Sequence, residues 1–437
     1  MTTDKSFADL GVSCPLITAL GERGITHPSP IQLATLPDTL AGRDVLGRGK
    51  TGSGKTLAFS LPLVSRLPHG QRRASRPSGL VLAPTRELAN QIAATLEPLA
   101  LTRGLRVATI FGGVSQTRQV AALKSGVDII VACPGRLEDL MKQRLISLDS
   151  VEITVIDEAD HMADLGFLPG VTRILAATPA SGQRLLFSAT LDNGVDKLAN
   201  RFLRNPVLHS VDDVSAPMPE MAHHVFHVAG ADAKKELVHR LASGAGRRIL
   251  FLRTKHHARK LAKQLTESGI PSVDLHGNLS QQARDRNLAA FAAGDVRVLV
   301  ATDIAARGVH VDDVELVVHI DPPSEHKAYL HRSGRTARAG NAGNVVTVVL
   351  PEQRKDTHAL MRKAGILVTP QQVGADSAPV RELVGEIAPY RAPTPKTVSP
   401  RPSQPHRARG AGQPRRQGGA SHDELRRQPT RPRRRTA

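Results

Sequence analysis

The chain has 437 residues, 40% of them apolar but only 3% aromatic and none tryptophan, so it can build two aliphatic cores and is too long for a single small module. Its two cysteines, Cys14 and Cys133, have no cysteine or histidine partner at metal-ligand spacing, which excludes a disulfide framework and a zinc site and fits a reducing compartment. The formal charge is +19 with no apolar run long enough to span a bilayer and no amphipathic face beside the basic residues, so nucleic acid rather than a membrane is the expected partner.

The N-terminus opens Met1-Thr2-Thr3-Asp4-Lys5 without the apolar stretch of a secretion signal, and a cytoplasmic location is expected. Residues 44–46 read as a short strand. Gly49-Lys50-Thr51-Gly52-Ser53-Gly54-Lys55-Thr56 then fits the P-loop pattern, and residues 57–66 read as the helix after it. Glycines let backbone N–H groups wrap phosphates at a helix start, Lys55 neutralises their oxygens, and the Thr56 hydroxyl can hold magnesium. Short aliphatic runs at 79–82 and 128–131, each followed by a helical pattern, set a β-α rhythm that implies a parallel sheet. The strand at 151–156 ends in Asp157-Glu158-Ala159-Asp160, where a P-loop protein needs an acid for magnesium and a second to activate water.

The rhythm lapses over 205–222, a proline-bearing stretch that reads as a linker with a boundary near 212. It restarts with strands at 248–251, 296–300 and 314–320 and a helix over 352–363. From 391 onward the chain holds 12 Arg and one Lys against Asp423 and Glu424, a net +11, with Val398 and Leu425 as its large aliphatics. Such a segment buries too little to fold alone.

Asp157-Glu158-Ala159-Asp160 resembles the signature of the DEAD-box ATP-dependent RNA helicases, here of the bacterial RhlE-like type, and the resemblance extends over about residues 7–365. It implies an α/β fold of two RecA-like parallel-sheet domains in tandem, at 1–212 and 213–368, with a disordered basic tail at 369–437. It further implies RNA-stimulated ATP hydrolysis with magnesium, coupled to local unwinding of short RNA duplexes and remodelling of ribonucleoprotein. Phe7 and Gln32 match the adenine-reading motif, and an amide such as Gln32 can both donate to and accept from a base edge. The nucleotide would also meet Gly49 through Thr56 and Gly308. Lys55, Thr56, Asp157, Glu158 and the arginine fingers Arg335 and Arg338 would carry hydrolysis.

By the same resemblance, RNA would lie along Pro84-Thr85-Arg86, Gly112-Gly113 and Pro134-Gly135-Arg136 of the first domain and Gly277, Arg284 and Thr302 of the second. These are backbone amides at helix starts plus guanidinium groups, suited to phosphates rather than base edges. Asp160, Ser188, Thr190, His331 and Arg332 would couple nucleotide state to strand separation. Taken singly, Thr85 reads better as a helix cap, and Ser188 or Thr190 can cap a helix as well as couple. The sequence departs from the family at Ile25 and Cys133, at His310 in place of a ribose-contacting Asp, and at Ala337 in place of a glycine, where a positive φ would be strained. A tail-driven RNA-binding protein and a DNA helicase of the same superfamily remain alternatives at this level. RNA is the expected partner, with ribosomal or RNA-decay complexes as its setting.

Overall fold

The computed structural model describes residues 5–49, 52–191, 193–211, 221–306, 313–337 and 342–392. Seven strands form the first sheet: β1 Val45–Arg48, β2 Gly79–Leu82, β3 Val107–Ile110, β4 Ile129–Ala132, β5 Ile153–Ile156, β6 Gln183–Ser188 and β7 Val207–Ser210. Seven more form the second: β8 Met221–His227, β9 Arg247–Phe251, β10 Ser272–Leu275, β11 Val298–Ala301, β12 Val314–His319, β13 Gly343–Val349 and β14 Gln371–Gln372. The first runs β3-β4-β2-β5-β6-β1-β7 and the second β10-β11-β9-β12-β13-β8-β14, the same order advanced by one set of strands. Every pairing between these strands is parallel, as in β1, where Val45 faces Leu185 of β6 on one side and Val207 of β7 on the other.

Helices cover both faces, so the central strands are apolar on both sides. Successive side chains on one strand alternate between two cores: Val81 and Val155 pack with Phe59 and Leu96, whereas Leu80, Leu82 and Ile156 pack with Val171 and Leu186. The second sheet repeats the plan, with Leu250 and Val318 on one face and Ile249 and Val317 on the other. Among the described residues no helix is long and apolar enough to cross a membrane.

Two expectations need correction. Residues 207–210, read as linker, are the edge strand β7, and residues 221–222 open β8; residues 212–220 of the expected linker lie outside the described residues. Residues 369–392, read as the start of the tail, are folded: β14 pairs with β8, and the helix Ala378–Val384 buries Val380 and Val384 in the second core. Arg248, 1% exposed, reaches through to the Val384 carbonyl at 2.9 Å, and Ala388 N donates to Ser243 O at 2.8 Å. Few apolar residues, widely spaced, dock this segment onto a surface already built, so no local periodicity announces it. Of the sequence-derived tail, 393–437 lies outside the described residues.

Candidate active site

The P-loop joins β1 to the helix Lys55–Arg66. Gly52 and Gly54 have φ of +88° and +96°, a region where a side chain is strained. Space forbids a side chain at Gly54 as well, since a Cβ there would lie 2.5 Å from Ser29 Oγ and 2.7 Å from Gln32 Nε2. Lys55, 7% exposed, donates to Gly49 O at 2.6 Å, and Ser53 Oγ is buried without a partner. Lys50 and Thr51 lie outside the described residues.

Gln32 is nearly buried and holds this loop. Its Oε1 accepts from Ser29 N at 2.9 Å and its Nε2 donates to Gly54 O at 3.0 Å, while Ser29 Oγ donates to Ser53 O at 2.8 Å. Each end of the amide expected at an adenine edge thus makes one bond to backbone. Phe7, 2% exposed, packs in the first core and not on the wall of the P-loop cavity.

That cavity, about 250 Å³, is walled by Gly52, Gly54, Lys55 and Thr56, by Asp157 and Glu158, and by Arg335. It therefore draws on both sheets. Arg23, Gln91 and Thr95 also line it, and no motif in the sequence singled them out. Burial pushes the Asp157 carboxyl up to about 7, against the pull of Lys55 and with Glu158 and Asp160 adding to the rise. Burial also works to raise Glu158, but the hydrogen bond to His161, together with the charge of His161, Arg335 and Lys55, holds it down to about 2. Glu158 is therefore ionised at neutral pH. Its backbone is left-handed, φ 50° and ψ 52°, a conformation costly for a glutamate.

His161 is a residue that sequence reasoning missed. Its Nδ1 lies 3.0 Å from Glu158 Oε2, and its ring lies 6.2 Å from that of His331 in the second half. His331 Nδ1 in turn stands 3.8 Å from Asp164. Spacing alone could have flagged His161, since residues three apart on a helix share a face. The Thr56 hydroxyl and the Asp157 carboxylate belong to residues that wall one cavity, and such hard oxygen donors suit magnesium, which takes few protein ligands and completes its shell with phosphate and water.

Beside this cavity, Asp160 gathers the expected coupling residues. Its Oδ2 accepts from Thr190 N at 3.0 Å and Thr190 Oγ1 at 3.1 Å, and Ser188 Oγ accepts from Asp160 N at 3.2 Å. Arg332 is not among them. It is 3% exposed, bound to Asp303 and to Asp321 O at 2.7 Å, with its guanidinium 5.2 Å from the Phe251 ring, so it braces the second half internally. Arg335 follows in a turn, and Arg338 and Gly308 lie outside the described residues. Ala337 has φ 55°, so the strain expected of the missing glycine is present.

Along the expected RNA track, Thr85 caps the helix Arg86–Leu101 by accepting from Leu88 N at 3.3 Å. Arg86 lies against Gly112-Gly113, where a Cβ on Gly113 would stand 2.1 Å from Arg86 Nη1. Pro134-Gly135 open the helix Pro134–Lys142, and Arg136 Nη1 is buried with no partner. Cys133 before them makes no cap bond, and burial pushes its thiol up to about 12. Gly277 is exposed, and Thr302 precedes the short helix Asp303–Ala306.

Arg284 departs from its expected place on RNA. It is 7% exposed, donates to Glu87 Oε1 at 2.7 Å and to Ala305 O at 3.1 Å, and so joins the two halves. Gln281 strengthens the joint by accepting from Arg86 at 3.1 Å. A guanidinium committed to a buried carboxylate and a carbonyl has little left for a phosphate.

A DEAD/DEAH box helicase family model matches residues 29–198, and a helicase conserved C-terminal domain model matches 232–340. The chain is 36% identical over 424 residues to the ATP-dependent RNA helicase RhlB of Enterobacter sp., covering 95% of this chain and 96% of that one. It is 38% identical to the RNA helicase CrhR of Synechocystis sp., over 81% of this chain and 72% of the relative. To the ATP-dependent rRNA helicase RRP3 of Mycosarcoma maydis it is 39% identical, over 87% and 68%. Among solved structures, Saccharomyces cerevisiae Dbp5 bound to RNA and ADP BeF3 matches with a TM-score of 0.74 and 27% identity, over 87% of this chain and 100% of that one.

Proposed function

The chain belongs to the DEAD/DEAH box helicase family, an RNA-dependent ATPase and RNA helicase by that membership, and from this premise we propose how its residues divide the work. Lys55 and the P-loop amides bind the ATP phosphates. Thr56 and Asp157 hold magnesium, which when bound neutralises phosphate charge. Glu158 accepts the proton of the attacking water once it turns from His161, and Arg335, with Arg338, brings positive charge to the transferring phosphoryl group from the other half. Gln32 acts by fixing the loop. The observation that carries this reading is the single cavity that brings Arg335 of the second half against Lys55, Asp157 and Glu158 of the first.

RNA crosses both halves along Arg86, Gly112-Gly113, Pro134-Gly135-Arg136, Gly277 and Thr302. The unpartnered Arg136 donor supports a phosphate there. Closure of the halves through Glu87, Gln281 and Arg284 favours a bent single strand over a rigid A-form duplex, and local melting follows. Asp160, Ser188, Thr190 and His331 lie where this closure meets the phosphate site. We place the division between domains in 212–220, extend the second to about 392, and assign the basic residues beyond it to sequence-independent attraction for RNA. The setting is cytoplasmic, on single strands and short duplexes in ribosomal or RNA-decay complexes; the name of the RRP3 relative supports ribosomal RNA.

Phosphate release tests the reading, measured without nucleic acid, with single-stranded RNA and with DNA of the same sequence. RNA stimulates the full chain and a chain ending at Ala392, and Glu158→Gln abolishes turnover while RNA binding persists. Equal stimulation by DNA, or turnover surviving Glu158→Gln, overturns it.

A further inference from the structure

A cavity of about 830 Å³ opens beside the C-terminal ends of β9 and β12, walled by the helices Ala231–Ala242 and Lys255–Glu267. None of its lining residues belongs to the P-loop cavity. Its floor is aliphatic, formed by Val238, Leu252, Leu261, Leu265 and Ile320. Its rim carries Lys234, Lys235, Arg240 and Lys260 against Glu236 and Asp321, and Arg240 stands 3.8 Å from the exposed Asp376. Asp321 is already neutralised by Lys234 at 2.9 Å. Lys235 pairs with Asp232, both exposed, a contact worth little in water.

We propose that this cavity docks an acidic peptide segment of a partner protein, with aliphatic or aromatic anchors seated on the floor and carboxylates on the rim. Apolar pockets edged by like charge are built for that combination, the anchors giving affinity and the charges orientation. Three other occupants fit worse. A nucleotide has no cradle here, because the loop after β8 is only residues 228–230 and Lys234 is committed to Asp321. RNA bases find no Phe, Tyr or Trp ring on the wall to stack against. The chain's own Arg-rich residues 393–437 carry the same sign of charge as the rim.

The test is selection of displayed short random peptides against the full chain, followed by fluorescence anisotropy of the enriched sequences. Enrichment of Asp and Glu interleaved with Leu, Ile or Phe is expected. Binding then weakens by about tenfold in the surface variant Lys235→Glu/Lys260→Glu and in Leu261→Ala, and falls with added salt. RNA-stimulated hydrolysis of both variants stays at the wild-type level, which shows that they fold; should Leu261→Ala fail that check, the surface variant alone decides. No enrichment, enriched peptides lacking acidic residues, or binding indifferent to the charge reversals overturns the proposal. Displacement of the peptide by single-stranded RNA, with RNA affinity falling in the charge-reversal variant, reassigns the cavity to RNA. Tighter peptide binding on removal of 393–437 reassigns it to the tail.

Discussion

The two sheets share one strand order yet differ where chemistry is concerned. After β1 the chain makes a six-residue loop, 49–54, with two left-handed glycines, and Lys55 rests on a backbone carbonyl that a phosphate can replace. After β8, the equivalent strand, the loop is residues 228–230, and Lys234 is closed onto the Asp321 carboxylate at the end of β12. β12 holds the place that β5, which leads into Asp157, holds in the first sheet. The comparison teaches that a shared topology supplies a place for an anion, while loop length and glycines decide whether one can enter. The second half instead contributes groups that reach its neighbour: Arg335 on the cavity wall, His331 near His161, and Arg284 on Glu87.

The largest expected effect breaks that division of labour. Arg335→Ala lowers kcat by about 10³-fold or more with little change in ATP affinity, as for an arginine acting on the transition state. Lys55→Ala weakens ATP binding itself. Steady-state hydrolysis beside nucleotide titration separates the two, and equal losses of affinity would refute the asymmetry.

Next is the joint between halves. Glu87→Gln leaves Arg284 buried without its counter-charge and costs about 3 kcal/mol. Adding Arg284→Met recovers part of that, and a double-mutant cycle by thermal unfolding reads the coupling. Additive costs would mean the pair does not couple.

Acid distinguishes the halves as well. Burial holds His319 well below the usual imidazole range, with Arg332 and His223 adding, and burial lowers His223 and His227 too. All three lie in the second half. A depressed histidine favours the folded state above its unfolded pKa, near 6.5, and that stability is lost as pH falls below it, at about 1.4 kcal/mol per pH unit for His319. Hydrogen exchange at falling pH should show β12 and β13 losing protection before β5 and β6, and His319→Gln should flatten the difference.

The smallest effect concerns Ala337. Replacing it with glycine relieves its left-handed backbone and raises thermal stability by up to about 1 kcal/mol, offset in part by the freer unfolded chain.

The strands β1, β2, β4, β5, β9, β11 and β12 were legible because burial on both faces forces continuous aliphatic runs; β13, paired on both sides as well, was not read. The edge strands β7 and β14 were not. They occupy equivalent places in the two sheets, pair on one side only, and need no such run. Among site residues, the P-loop and the acids after β5 could be read because their chemistry is local: glycine, lysine and carboxylate act within a few residues of one turn. Gln32, Arg284 and Arg332 matched their motifs but found other partners in space. A side chain's type and position reveal what it can bind, not which carbonyl or carboxylate from another element reaches it first.

What the sequence determined by itself was therefore the fold class, the glycine-rich loop after β1, the pair of acids after β5 and the basic C-terminus, since periodicity, turn chemistry and charge are properties of short stretches. Tertiary structure alone decided that Arg335 meets Glu158, that Glu158 leans on His161, that Arg284 closes onto Glu87, and that an apolar cavity lies open under a basic rim. Each depends on how the chain packs, and only packing brings such groups within the few ångströms over which hydrogen bonds and desolvated charges act.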